Sequence, residues 1–132
     1  MDAAEKLITE MLTERPGYVP AKMLKSELLI YKKEFADALK ILSDLAKEEP
    51  NSPRVHYFTG MGLIGTGNYD NAKSSISRAV ELNPGYLKAR MLLADIYLQE
   101  RSFELARDAA TEALALDRDN YRLHLIRAKS HM

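Results

Sequence analysis

Apolar residues recur along the chain at helical spacing, in segments separated by turn residues. In 2–14, Ala4, Leu7, Ile8, Met11 and Leu12 share one face, and Pro16-Gly17 stops the run. A second segment opens at Pro20, where the first turn of a helix loses no N–H bond. It carries Leu24, Leu28 and Leu29 and ends near Tyr31-Lys32-Lys33. A third runs from about Glu34 to Glu48 with Phe35, Ala38, Leu42 and Leu45 on one side. Ser52-Pro53 reads as a cap followed by proline at the first helical position, and Gly65-Thr66-Gly67-Asn68 as a tight turn with Asn68 capping the helix from Tyr69 to Leu82. Asn83-Pro84-Gly85 breaks the chain again. Two more helices are predicted within 87–120, the second capped by Ser102 and carrying Phe103, Ala106, Ala110, Ala113 and Leu114, and a last one in 121–132. The pattern predicts eight helical segments joined by about two to eight residues.

A longer period overlies the helical one. Ala4, Ala38, Ala72 and Ala106 are spaced by 34 residues, as are Phe35, Tyr69 and Phe103, and Pro16, Pro50 and Pro84; Arg118 breaks the last series. Two antiparallel helices approach closely only where small residues sit at the crossing, and Gly60 and Ala94 match Ala72 and Ala106 in that respect. With its period and these positions, the chain resembles the tetratricopeptide repeat family. The resemblance implies an all-α, right-handed solenoid of antiparallel helix pairs. In its frame, 1–18 holds the second helix of a truncated repeat, 19–52, 53–86 and 87–120 are full repeats, and 121–132 is the first helix of a further one. The chain is therefore expected to be a piece of a longer array, with Met1 not a natural start. Lys25 stands where the family prefers a large apolar residue and Ser26 where it prefers a small one. No hairpin buries its apolar face alone, so neighbours must stack.

In this family the first helix of each pair lines a concave groove. Carrying the groove offsets over selects Met23, Leu24 and Glu27, then Arg54, Tyr57, Phe58 and Met61, then Lys88, Met91, Leu92 and Asp95, and finally Arg122, Leu125, Ile126 and Lys129. The resulting surface is mostly apolar and rich in methionine, which adapts its shape to varied partners. Phe58, Met61, Met91 and Leu92 are expected to form a continuous strip. The same offsets also pack between adjacent first helices, so part of the set belongs to the core. Some family members clamp chaperone-tail carboxylates with lysine, asparagine and arginine; only Lys88 matches, and that reading is rejected.

Composition narrows the chemistry. Acidic and basic residues balance at 19 each and apolar residues make up 46%. There is no basic excess and no interleaving of aromatic and basic residues, so nucleic acid is not expected as a partner. No apolar run is long enough to cross a bilayer, the first residues lack a signal peptide, and the absence of cysteine excludes disulfides and thiolate metal sites. His56, His124 and His131 lack a third ligand and read as packing or surface residues. The glycines at 60, 62, 65 and 67 follow a helix rather than a strand, which suits close packing and a turn better than a phosphate loop. The expected function is a non-catalytic scaffold, without cofactor, that binds a peptide or protein segment in the groove. Two alternatives stand beside it: self-assembly end to end, with Ala4, Ile8 and Met11 bare at one end and Leu123 and Ile126 at the other, or the regulatory part of a larger enzyme.

Overall fold

The computed structural model describes residues 2–131, which form eight helices and no strand. These are α1 (Ala3–Glu14), α2 (Val19–Tyr31), α3 (Phe35–Glu48), α4 (Pro53–Gly65), α5 (Tyr69–Leu82), α6 (Leu87–Gln99), α7 (Phe103–Leu114) and α8 (Tyr121–Ser130). Each helix packs on the next, and α2–α3, α4–α5 and α6–α7 form hairpins. The small residues lie at the crossings: Ser26, Gly60 and Ala94 on first helices and Ala38, Ala72 and Ala106 on second helices are all buried. Ser26 fills its small position without leaving a buried hydroxyl unpaired, because it donates to the Met23 carbonyl at 2.7 Å. In α4, Gly60 abuts Ile76 of its own hairpin, while Gly62 and Gly65 abut Leu39 and Phe35 of the preceding one. The glycine-dense stretch is thus a packing device on two sides of one helix.

Two turns repeat throughout. Where a second helix leads into the next first helix, the same pair of bonds recurs, as in Glu49 N to Leu45 O and Ser52 N to Glu49 O. It persists at Asp117–Asn120 although Arg118 replaces the proline. A side chain six residues on ties this turn down: His56, Arg90 and His124 donate to the carbonyls of Pro50, Pro84 and Arg118 at 2.8, 2.6 and 2.7 Å. Two of the three histidines are accounted for in this way.

The turn inside each hairpin is a left-handed helix terminus. Lys33, Gly67 and Arg101 have φ of 64°, 83° and 63°. The next residue donates back across it, from Glu34, Asn68 and Ser102 to the carbonyls of Leu29, Leu63 and Tyr97. This corrects the expected caps. Asn68 and Ser102 make no side-chain cap bond, because the turn leaves them at ψ of 73° and 70°. The caps that do bond, Asp2, Ser52 and Asn120, have extended ψ of 175°, 112° and 102°. A side chain at positive φ is strained, and glycine relieves it. Lys33→Gly and Arg101→Gly should each raise stability by about 0.5–1 kcal/mol, read as a higher denaturant midpoint, while Gly67→Ala should lower it.

The ends differ from expectation. Ile8 is buried against α2, leaving Ala4 and the 57% exposed Leu7 as the bare part of α1, with Met11 half-buried. Leu123 and Ile126 are buried with α7 residues such as Ala110 and Leu114, since α8 turns its apolar stripe back on the preceding hairpin. Leu125 and Ala128 are exposed there instead.

Candidate functional site

First helices lean on one another, α2 on α4 and α6 on α8, whereas successive second helices do not pack to that extent. The array therefore curves with its first helices inside. Two clefts open on this inner side between α4 and α6, which pack less closely than the flanking pairs. The larger, about 540 Å³, is lined by Glu27, Tyr31, Arg54, Tyr57, Phe58 and Lys88 together with Asn83, Gly85 and Tyr86 of the turn before α6 and Leu87 at its start. The second, about 290 Å³, is lined by Tyr57, Met61, Lys88, Met91, Leu92, Asp95 and Arg122. Met61 and Leu92 also reach an apolar cleft of about 340 Å³ with Ile30, Phe35 and Ile64, and Tyr31 connects it to the first.

The structure separates the predicted groove residues. Met61, Met91, Leu92 and Tyr57 come together on one cleft wall, half-buried except for Tyr57, which is nearly covered. Met23 and Phe58 instead sit in the core at 6% exposure each, and Met23 lines none of these clefts. Leu24, Leu125 and Lys129 are exposed outside them, and Ile126, on α8, is buried against α7.

The charged residues form rungs between successive first helices. Arg54 Nη2 lies 2.5 Å from both carboxylate oxygens of Glu27, and Arg122 Nη2 lies 2.6 Å from Asp95 Oδ2. Donating to the Glu27 carboxylate makes the Arg54 guanidinium hold its proton more firmly than usual. Lys88 occupies the matching position between these two arginines, but its counterpart on α4 is Met61.

Two aromatics escaped the sequence reading. Tyr86 packs on Tyr57 at 5.1 Å between ring centroids, and Tyr57 meets Phe58 edge-on at 5.1 Å. Tyr31 is 71% exposed at the cleft mouth. Tyr86 stands at the cap position held by Ser52 and Asn120, and an aromatic in a capping place was the available signal. Burial pushes its phenol up to about 12, and burial likewise raises that of Tyr57, so both are neutral hydroxyls at neutral pH. Among the described residues, no three histidine, cysteine or acidic side chains converge to hold a metal ion, and no helix is long and apolar enough to cross a membrane.

Family models described as "Tetratricopeptide repeat" match residues 1–61 and 59–122. The "DnaJ homolog subfamily C member 7 homolog" of Dictyostelium discoideum is 24% identical over 122 residues, 83% of this chain and 23% of that protein. The chain spans less than a third of the length of the curated relatives it matches. A crystal structure of MamA superposes with a TM-score of 0.87 at 17% identity, over 99% of this chain and 84% of that one. The first TPR of Spaghetti (RPAP3), bound to HSP90 peptide SRMEEVD, superposes with a TM-score of 0.80 at 17% identity, over 86% and 90% of the two chains. These likenesses give the fold as a right-handed, all-α solenoid of helix pairs.

Proposed function

The chain belongs to the tetratricopeptide repeat family, and on that premise we propose that it is a non-catalytic scaffold that takes a peptide or protein segment on its inner face, between α4 and α6. One observation carries the reading: Met61, Met91, Leu92 and Tyr57 are gathered on a concave wall at the joint where first helices pack least closely. Such a wall gains free energy by covering apolar area, at about 25 cal/mol per Å². The Spaghetti domain, similar in fold, binds its HSP90 peptide as a domain of this kind, which supports a peptide ligand here. The bare Ala4 and Leu7 on α1 favour a second reading, association of copies through that end.

Affinity from apolar burial is weakly screened by salt. A partner isolated by affinity capture, or a peptide cut from it, should bind with an affinity that changes less than about fivefold between low and high salt, since exposed ion pairs contribute only about 0–1 kcal/mol each. Met91→Ala should weaken binding about fivefold by removing roughly 1 kcal/mol of apolar contact. Affinity that collapses in salt while Met91→Ala binds normally would place the partner elsewhere on the surface.

A further inference from the structure

Ion-pair rungs join α2 to α4 and α6 to α8, and the one that would join α4 to α6 is missing. In α2 and α6, Glu27 and Asp95 reach the basic residue at the second position of the following first helix, Arg54 and Arg122. The equivalent residues across the α4–α6 joint are Met61 and Lys88. Lys88 is exposed, and among the described residues it is the one rung cation without a carboxylate within 4 Å. The unbraced joint is also where α4 and α6 pack less closely than the neighbouring pairs, and both inner clefts share Lys88. An ammonium thus faces an apolar wall of Met61, Met91 and Leu92.

We infer that the partner supplies the missing acid: the groove, read as above to be the binding site, takes a segment with one acidic side chain flanked by bulky apolar residues. The partner carboxylate sits on Lys88, and the apolar neighbours cover Met61, Met91 and Leu92. A carboxylate fits because the two flanking rungs, built at the same offsets, hold carboxylates on their cations. A single acid fits better than an acidic run, since the Glu27 and Asp95 carboxylates line the same clefts and repel further negative charge. Met61 and Lys88 are then the specificity-determining pair: methionine at position 61 leaves the lysine available, where an acid would occupy it.

The test uses two labelled, capped peptides, SALFELMAS and SALFQLMAS, which differ only in the central charge, with binding followed by fluorescence polarisation and by the methyl signals of Met61 and Met91. The glutamate peptide should bind about threefold tighter at low salt, the size of effect an exposed ion pair supports. The preference should vanish in Lys88→Gln and in Met61→Glu, whose new carboxylate pairs with Lys88, and should persist in Met61→Gln. Independently of any peptide, Met61→Glu should melt higher than Met61→Gln, and the difference should disappear when Lys88→Gln is added. Equal binding of both peptides, with the two methyl signals moving, overturns the rung inference and leaves the groove reading standing. Methyl signals that stay still with both peptides at millimolar concentration overturn the groove reading and the inference with it.

Discussion

Phe58→Asp should unfold the array rather than merely empty its groove. Phe58 is 6% exposed, lies within the main apolar core and meets Tyr57 edge-on. Removing a buried phenylalanine costs about 3–5 kcal/mol in cavity and transfer terms. An unpaired carboxylate adds several more unless it takes up a proton. Small domains hold only about 5–15 kcal/mol in total, so most of the stability should go. Thermal melts followed by circular dichroism should show Phe58→Asp broadened or already unfolded at room temperature, while Lys88→Ala melts as the parent does. A Phe58→Asp protein with the parent melting curve would mean that the ring lies open in the groove, as the sequence alone had suggested.

Ala72→Leu should destabilise the central hairpin by about 1–3 kcal/mol, whereas Ala4→Leu should be nearly neutral. The two alanines hold the same place in the repeat. Ala72 is fully buried where α5 crosses α4, and a β-carbon added at Gly60 would press on Ile76 and come within 3.3 Å of the Ala72 carbonyl. Three more carbons there must push two backbones apart. Ala4 is exposed: among the described residues α1 packs only on α2, and nothing covers Ala4 there. Denaturant midpoints for the two variants check this, and equal shifts would mean that crossing contacts do not set stability. Lys73, beside Ala72 in sequence, is unsuitable as an exposed reference. It pairs with Glu100 at 2.9 Å and lies 5.9 Å over the Tyr97 ring.

The helices and their pairing were legible because two periods agree: apolar residues at helical spacing set each helix, and small residues 34 apart set the crossings. The caps at Asn68 and Ser102 were misread because a left-handed residue before them fixes the backbone first, and only Gly67 of the three turn residues advertises it. The groove was harder to read. One helix offset can face a neighbour or face solvent, depending on how far the array curves, and curvature is a tertiary quantity. Phe58 and Leu92 share one offset and illustrate this, the first in the core and the second on the cleft wall. The rungs were visible in principle, since Glu27–Arg54 and Asp95–Arg122 share one spacing. That spacing is one repeat less two helical turns, and it acquires meaning only once adjacent first helices are known to lie side by side.

The central claim, that a partner occupies the inner face at the α4–α6 joint, is tested most directly by methyl-labelling the methionines and following their signals as partner is added. Met61 and Met91 line the cleft, Met23 is buried in the core and Met11 lies on α1. The Met61 and Met91 signals should move together and saturate with the binding curve while Met11 stays in place. Saturable movement of Met11, with Met61 and Met91 unmoved, would put the partner at the end of the array and contradict the account.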